Sequence, residues 1–287
     1  MTNYGRDLGG TSRAQGPSQN AVGAFEHLSQ AQTQSKRVGF ENREIRTLAI
    51  AFRMYSEARL FIEALKLTPT ELTRNPGLGE IYSGEIGHLK VIVSINPFNQ
   101  RFQVAGVGTN YSTLCAMALC NEVKPDLLIN AGTGGGFKSG NTSIGDTFIS
   151  QGAVYYHDRR IPLPAFEDFG RGGYPTVRAL VLPDILNAKT GIFSTGNSLD
   201  LSEADKSELE RNNADVKDME SAAFAEVADS NGVPFLAIRT ITDFVDSGRS
   251  TPEQFTSNFN HATGKLRTAL MTLVSYLAEE TRLIGDL

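Results

Sequence analysis

From Glu44 to Leu283 the chain alternates short apolar runs with stretches whose apolar residues recur every three to four positions, and few folds accommodate that alternation. TLAIAF, at 47–52, is too short for a helix and reads as a buried strand. A helix is predicted from Ser56, as its N-cap, to about Lys66. Segments 81–86 and 88–95 read as a hairpin turned at Gly87, and FQVAGVG at 102–108 as a further strand. A helix over 112–122 leads into DLLINAG, 126–132, as another core strand. IGDTFISQGAVYY reads as a long strand with bulges at Gly145 and Gly152. TGIFST and VPFLAIRTIT are further strands, MESAAFAEVADSN is a helix, and 251–282 is mostly helical. Strands separated by helices imply an α/β fold: a three-layer α/β/α sandwich, helices covering both faces of a central mixed β-sheet. No linker-like segment interrupts this pattern, so one domain is expected over 44–287. Residues 1–43, rich in Gly, Ser, Gln, Asn and Thr, read as a flexible tail that buries too little apolar surface to offset its ordering entropy.

Charge and cysteine usage remove several function classes. Lys and Arg number 27 against 32 Asp and Glu, a net charge of −5, which argues against a nucleic-acid surface built on clustered cations. No apolar run approaches the ~18 residues of a spanning helix, and the N-terminus lacks the apolar stretch of a secretory signal. Cys115 and Cys120 lie five apart in one predicted helix, on different faces, so neither a disulfide nor a metal pair is expected. A reducing, cytoplasmic home follows. With four His and no metal-ligand spacing, no metal and no cofactor are expected.

Three segments end apolar strands with small or acidic residues, where α/β proteins place ligands. NAGTGGGFKSG, 130–140, holds five glycines and reads as either a tight turn or a ligand loop offering backbone N–H groups. It is not a Walker loop, since no Gly-Lys-Ser/Thr follows. Asp218 and Glu220 flank Met219 at a helix start, where they either cap the helix or place a carboxylate that takes two vicinal hydroxyls with its two oxygens. Asp243 follows an apolar run and is either a turn residue or a half-dry acid that keeps its proton near neutrality, with Asp246 the more ordinary turn residue. Glu57, just past the first strand, is either a solvent-facing carboxylate or a fourth acidic group on the same cleft. Carboxyl groups facing one cleft suit cleavage of a glycosidic bond, one protonating the leaving group and another activating water.

Six segments, KPDLLINAGTGGGF, SIGDTFIS, YYHDRRIPLP, STGNSLDLS, KDMESAAFAEVADSNGVPF and AIRTITDFVD, together resemble the 5′-methylthioadenosine nucleosidases of the plant type, within the nucleoside phosphorylase superfamily. The resemblance runs from about Leu48 to the C-terminal helix and implies the nucleoside phosphorylase-like fold. It implies hydrolysis of 5′-methylthioadenosine to adenine and 5-methylthioribose, as in methionine salvage; acceptance of S-adenosylhomocysteine depends on room beyond the 5′ sulfur. Asp243 then resembles the acid that protonates adenine N7, and Glu57 the base that positions and deprotonates the attacking water. Glu220 resembles the ligand of the ribose 2′ and 3′ hydroxyls, with Met219 beneath the sugar and Asp218 beside it. Leu199 matches the position on the purine face, and Thr133 and Thr242 match small hydroxyl positions near base and sugar. Met54, Val107 and Phe255 fall where the family lines its alkylthio pocket, and the resemblance implies a homodimer with 161–166 across the interface. The implied partners are thus a nucleoside, water and a second copy of the chain, with no nucleic acid and no membrane.

Two positions depart from the pattern. Asn197 stands where the family commonly has Asp, keeping hydrogen bonding without charge. Arg53 stands where small or apolar residues are usual, as either an outward surface residue or an anion ligand favouring phosphate over water. AFRMYSEAR nevertheless lacks the Gly-Asp-Pro-x-Arg type of loop that related phosphorylases carry, so hydrolysis is expected over phosphorolysis. A storage-type relative without activity is disfavoured by the presence of Glu57, Glu220 and Asp243. A nucleosidase for another purine nucleoside is the remaining rival.

Overall fold

A computed structural model describes residues 40–70, 78–164 and 166–287; the tail expected over 1–43 lies outside them except for 40–43. Twelve strands are present among these residues: β1 (Thr47–Phe52), β2 (Thr68–Pro69), β3 (Glu80–Ile86), β4 (Leu89–Ile95), β5 (Phe98–Asn99), β6 (Val104–Ala105), β7 (Leu127–Gly136), β8 (Thr147–Tyr156), β9 (Gly172–Pro175), β10 (Lys189–Thr195), β11 (Val216–Asp218) and β12 (Phe235–Phe244). The helices are α1 (Tyr55–Leu65), α2 (Thr109–Ala118), α3 (Glu167–Arg171), α4 (Leu182–Leu186), α5 (Glu203–Arg211), α6 (Ser221–Asn231) and α7 (Thr251–Glu279).

The sheet is mixed, in the order β11-β10-β8-β12-β7-β1-β4-β3-β2, with β9 on β8. Its centre is parallel: β1 pairs with β4 and β7, and β7 with β12. Period-two alternation places β1 in the middle of the fold. Leu48, Ile50 and Phe52 join one core with α1, α4 and the C-terminal half of α7, while Ala49 and Ala51 join a second core with α2 and α6. These two cores are the two helix-to-sheet interfaces of the expected sandwich.

One end of the sheet closes on itself. β11 pairs parallel with β10 and antiparallel with the last residues of β7, so β7, β12, β8, β10 and β11 form a ring. The glycine run is therefore no loop: Thr133–Gly136 continue β7 and bond to β12 on one side and, at Gly135 and Gly136, to β11 on the other.

Other boundaries moved for local reasons. α1 begins at Tyr55 after an extended Met54, so Ser56 lies inside the helix and caps nothing. Of the strand expected over 102–108 only Val104–Ala105 pairs, with Phe98–Asn99, in a separate hairpin. The turn at Gly87 is as expected, with φ +60°, where a Cβ would be strained. Cys115 and Cys120, expected on different faces, enter the same core because α2 passes into a π-helical turn at Leu119–Val123. Both are free thiols, and burial pushes Cys115 up to about 12 and Cys120 to about 11, which makes them inert at neutral pH. Among the described residues no helix is long and apolar enough to cross a membrane.

Candidate active site

β1, β7 and β12 run parallel, so their carboxyl ends open on one edge of the sheet, beside the closed ring. A half-open cleft of about 230 Å³ lies there. Nine of the residues assigned to the site from the sequence line it: Met54, Val107, Thr133, Leu199, Asp218, Met219, Thr242, Asp243 and Phe255. Arg53, Gly134, Gly135 and Lys217 complete the wall. Glu57 and Glu220 are not in the wall; they lie buried behind it, both bonded to Arg53.

Asp243 owes its orientation to an irregularity in β12. Ile241 pairs with Gly134 and Asp243 with Gly135, so Thr242 is the extra residue of a bulge, a device that re-aims the side chains beside it. The Thr242 hydroxyl lies 2.8 Å from Asp243 Oδ1 and 3.2 Å from the Gly134 carbonyl, two acceptors for one proton. Asp243 is 3% exposed, and burial raises its pKa above the ordinary aspartate value, against the lowering effects of the Thr242 hydroxyl, Lys217 and Arg53. A carboxyl so placed can hold a proton and deliver it into the cleft.

Behind the opposite part of the wall Glu57 Oε1 accepts from the Thr133 N–H and hydroxyl, both at 2.9 Å, and pairs with Arg53 at 2.9 Å. Glu57 Oε2 is buried and has no hydrogen-bond partner among the described residues. Glycines on β7 make room for both acids. A Cβ at Gly132 would lie 3.2 Å from Glu57 Oε1, and one at Gly135 2.8 Å from Asp243 Oδ2. The residues that pack against these acids are three positions apart on β7, about 10 Å of strand at ~3.3 Å per residue.

Glu220 occupies the N-cap position of α6, at the turn out of β11, without a side-chain bond to the helix. Its Oε1 accepts the Gly108 N–H at 3.1 Å, and its Oε2 meets Arg53 at 3.0 Å and Arg239 at 3.7 Å. Asp218 lines the cleft, but its carboxylate is taken up by the protein. It pairs with Arg239 at 2.8 Å and accepts from the hydroxyls of Thr195 and Ser221 and the N–H groups that open α6. Burial alone would raise its pKa, yet Arg239 and those hydroxyls hold it below the usual value. The capping reading of Asp218 thus describes what its oxygens do here.

The two departures are now explained. Arg53 is buried, not an outward surface residue, and the anions it meets are the protein's own. Burial alone would lower its pKa, but Glu57 and Glu220 raise it, so it stays a cation. Asn197 uses both ends of its amide: Nδ2 donates to Asp158 at 2.9 Å, and Oδ1 accepts from the Thr109 N–H and hydroxyl at 2.9 and 3.0 Å. An aspartate could not donate to Asp158, so the amide suits its neighbour.

Lys217 was missed in the sequence, although it opens the KDMES segment. Its Nζ donates to the carbonyls of Ser198 and Leu199, at 2.6 and 3.1 Å, and so ties down the loop that carries Leu199. Burial lowers its pKa, an effect partly offset by Asp243 and neighbouring carboxylates. The signal was the cation itself, next to an acid at the start of a segment read as a site. Among the described residues no group of three or more His, Cys, Asp or Glu is arranged to hold a metal ion.

The sequence model of the phosphorylase superfamily matches residues 47–275. A 5′-methylthioadenosine/S-adenosylhomocysteine nucleosidase of Arabidopsis thaliana is 36% identical over 242 residues, 83% of this chain and 94% of that protein. A 5′-methylthioadenosine nucleosidase of the same plant is 35% identical over 240 residues, covering 82% and 88%. The apo structure of an Arabidopsis thaliana 5′-methylthioadenosine nucleosidase superposes with a TM-score of 0.80 at 34% identity, over 85% of this chain and 100% of that one.

Proposed function

The chain belongs to the phosphorylase superfamily, and from that membership we propose that its cleft cleaves the N-glycosidic bond of 5′-methylthioadenosine with water, releasing adenine and 5-methylthioribose. It is an N-glycosyl hydrolase, similar along most of its length to nucleosidases named for that substrate. S-adenosylhomocysteine, for which one relative is also named, is a second candidate substrate.

One observation supports this reading above the others. A buried, proton-retaining Asp243 in the cleft wall and a Glu57 whose Oε2 has no hydrogen-bond partner among the described residues pack against one strand, β7, with Thr133 belonging to both wall and base. Adenine is a poor leaving group as an anion, so Asp243 protonates N7 as the bond breaks. Positive charge then grows on the ribose, and Glu220, paired with Arg53 and near Arg239, stabilises it. A contact of this kind contributes about 3–4 kcal/mol. Glu57 receives a proton from the attacking water. Met219 and Leu199 pack on sugar and purine, Thr242 orients the acid, Asp218 fixes Arg239, and Met54, Val107 and Phe255 take the methylthio group.

We read the active unit as a cytoplasmic homodimer formed by a single catalytic domain over 44–287. Large apolar side chains stand more than half exposed at Leu163 and Phe166, in the segment expected at the interface, and at Phe102, Phe169 and Leu114. Both cysteines are free, as suits a reducing compartment.

The reaction is tested by chromatography of 5′-methylthioadenosine incubations with and without inorganic phosphate. Free 5-methylthioribose in both is expected; methylthioribose 1-phosphate formed only with phosphate would show a phosphorylase instead. Gly135→Ala tests the acid's seat. The added methyl would stand 2.8 Å from both Asp243 Oδ2 and a Val245 methyl, displacing the acid. A misplacement of about 1 Å costs about 10²-fold, so kcat should fall by about that factor with the protein still folded, and an unchanged kcat would discount this seating.

A further inference from the structure

Arg53, in the cleft wall, joins the two carboxylates buried behind it, Glu57 and Glu220. Nη2 lies 2.9 Å from Glu57 Oε1 and also donates to the Thr133 hydroxyl, while Nη1 donates to Glu220 Oε2 at 3.0 Å. The guanidinium, planar and fork-shaped, fixes both acids at once, which an ammonium point charge could not do. With Oε1 of Glu57 occupied three times over, by Arg53, the Thr133 N–H and the Thr133 hydroxyl, only Oε2 is left to accept a hydrogen bond.

We infer that Arg53 is a positioning residue for the attacking water: it locks Glu57 so that Oε2 alone faces the nucleophile, and couples that base to the ribose-side carboxylate Glu220. This rests on the hydrolytic reading above and adds to it a residue that touches neither the leaving purine nor the proton it takes. The competing role, a seat for inorganic phosphate, fits poorly. Both terminal nitrogens already hold carboxylates, and a phosphate dianion there would stand beside the like charges of Glu57 and Glu220.

The test uses the full-length enzyme with 5′-methylthioadenosine as substrate. In Arg53→Ala, kcat should fall about 10²-fold, the cost of a nucleophile held loosely, while KM changes less than threefold. Guanidinium ion at millimolar, non-denaturing concentration should restore kcat at least tenfold, and tetramethylammonium at equal ionic strength should not. A kcat within threefold of wild type overturns the inference. So does a loss carried by KM alone, or one that neither cation relieves. Acceleration of the wild type by inorganic phosphate that disappears in the variant also overturns it. Should Arg53→Ala not fold, Arg53→Lys decides: a tenfold or greater loss of kcat supports the two-carboxylate lock, and wild-type turnover removes it. If the wild type itself releases no adenine, the hydrolytic reading fails on its own account, before any variant is compared.

Discussion

Asp243→Asn is expected to lower adenine release by about 10³–10⁴-fold, the upper range for loss of a general acid, while leaving the fold intact. The amide keeps the shape and can still bond to the Thr242 hydroxyl, but it has no proton to give to a departing purine. The pH dependence separates this from a loss of packing. Burial raises the Asp243 pKa, so the proton-bearing form persists above the range of an ordinary aspartate. Wild-type kcat/KM should therefore be high below that raised pKa and fall as pH rises through it, and the limb should vanish from the residual rate of the variant. Stability runs in the same direction. A carboxyl whose folded pKa is raised contributes stability that is fully present below the unfolded pKa and is lost as pH rises through the folded one. Asparagine carries no such loss, so at neutral pH the variant should unfold at no lower a urea concentration than wild type. Wild-type-like turnover by a folded Asp243→Asn protein would refute the assignment.

The second large effect is on folding. Arg239 is 1% exposed and bonds to Asp218, to the Asn130 side chain and to the Asn130 and Ile238 carbonyls. Arg239→Met removes the cation and leaves Asp218 as a buried, unpaired charge, which costs about 3–5 kcal/mol. Asp218 adds a pH signature: its pKa is depressed in the fold, so it stabilises above the unfolded aspartate pKa and that stability is lost as pH falls through the folded value. The double variant Arg239→Met with Asp218→Asn should recover part of the loss, since replacing both members of a buried pair leaves no orphan charge. Urea midpoints for the single and double variants measure this, and a single variant within 1 kcal/mol of wild type would show that the pair matters little.

How much of this was legible in the sequence depended on how local the cause was. β1 was readable because Leu48, Ile50 and Phe52 alternate with Ala49 and Ala51, and each set fills a different core. Gly132 and Gly135 were not, because what excludes a side chain there is Glu57, some seventy-five residues from Gly132 in the chain, and Asp243, more than a hundred from Gly135. Composition could not tell a loop from a strand forced to be bare. α5 was missed because it is charged over most of its surface and buries only Asp205 and Leu209, too little for a periodic signal. β11 was read as part of a helix start because its three residues, VKD, carry no strand pattern and pair only through long-range partners. Arg53 was visible as an oddity, but its meaning needed the positions of Glu57 and Glu220 together.

The closure of β7 between β12 and β11 divides the catalytic chamber into unequal halves. The end holding Asp243 and the bare strand is clamped by backbone bonds on both flanks and has nowhere to yield. The far rim, built from the half-exposed Val107 and the helix-borne Phe255, lies outside that closure. Reshaping this catalyst for bulkier 5′ substituents should therefore begin at that rim, where exchanges of side-chain volume leave the proton-delivering end undisturbed.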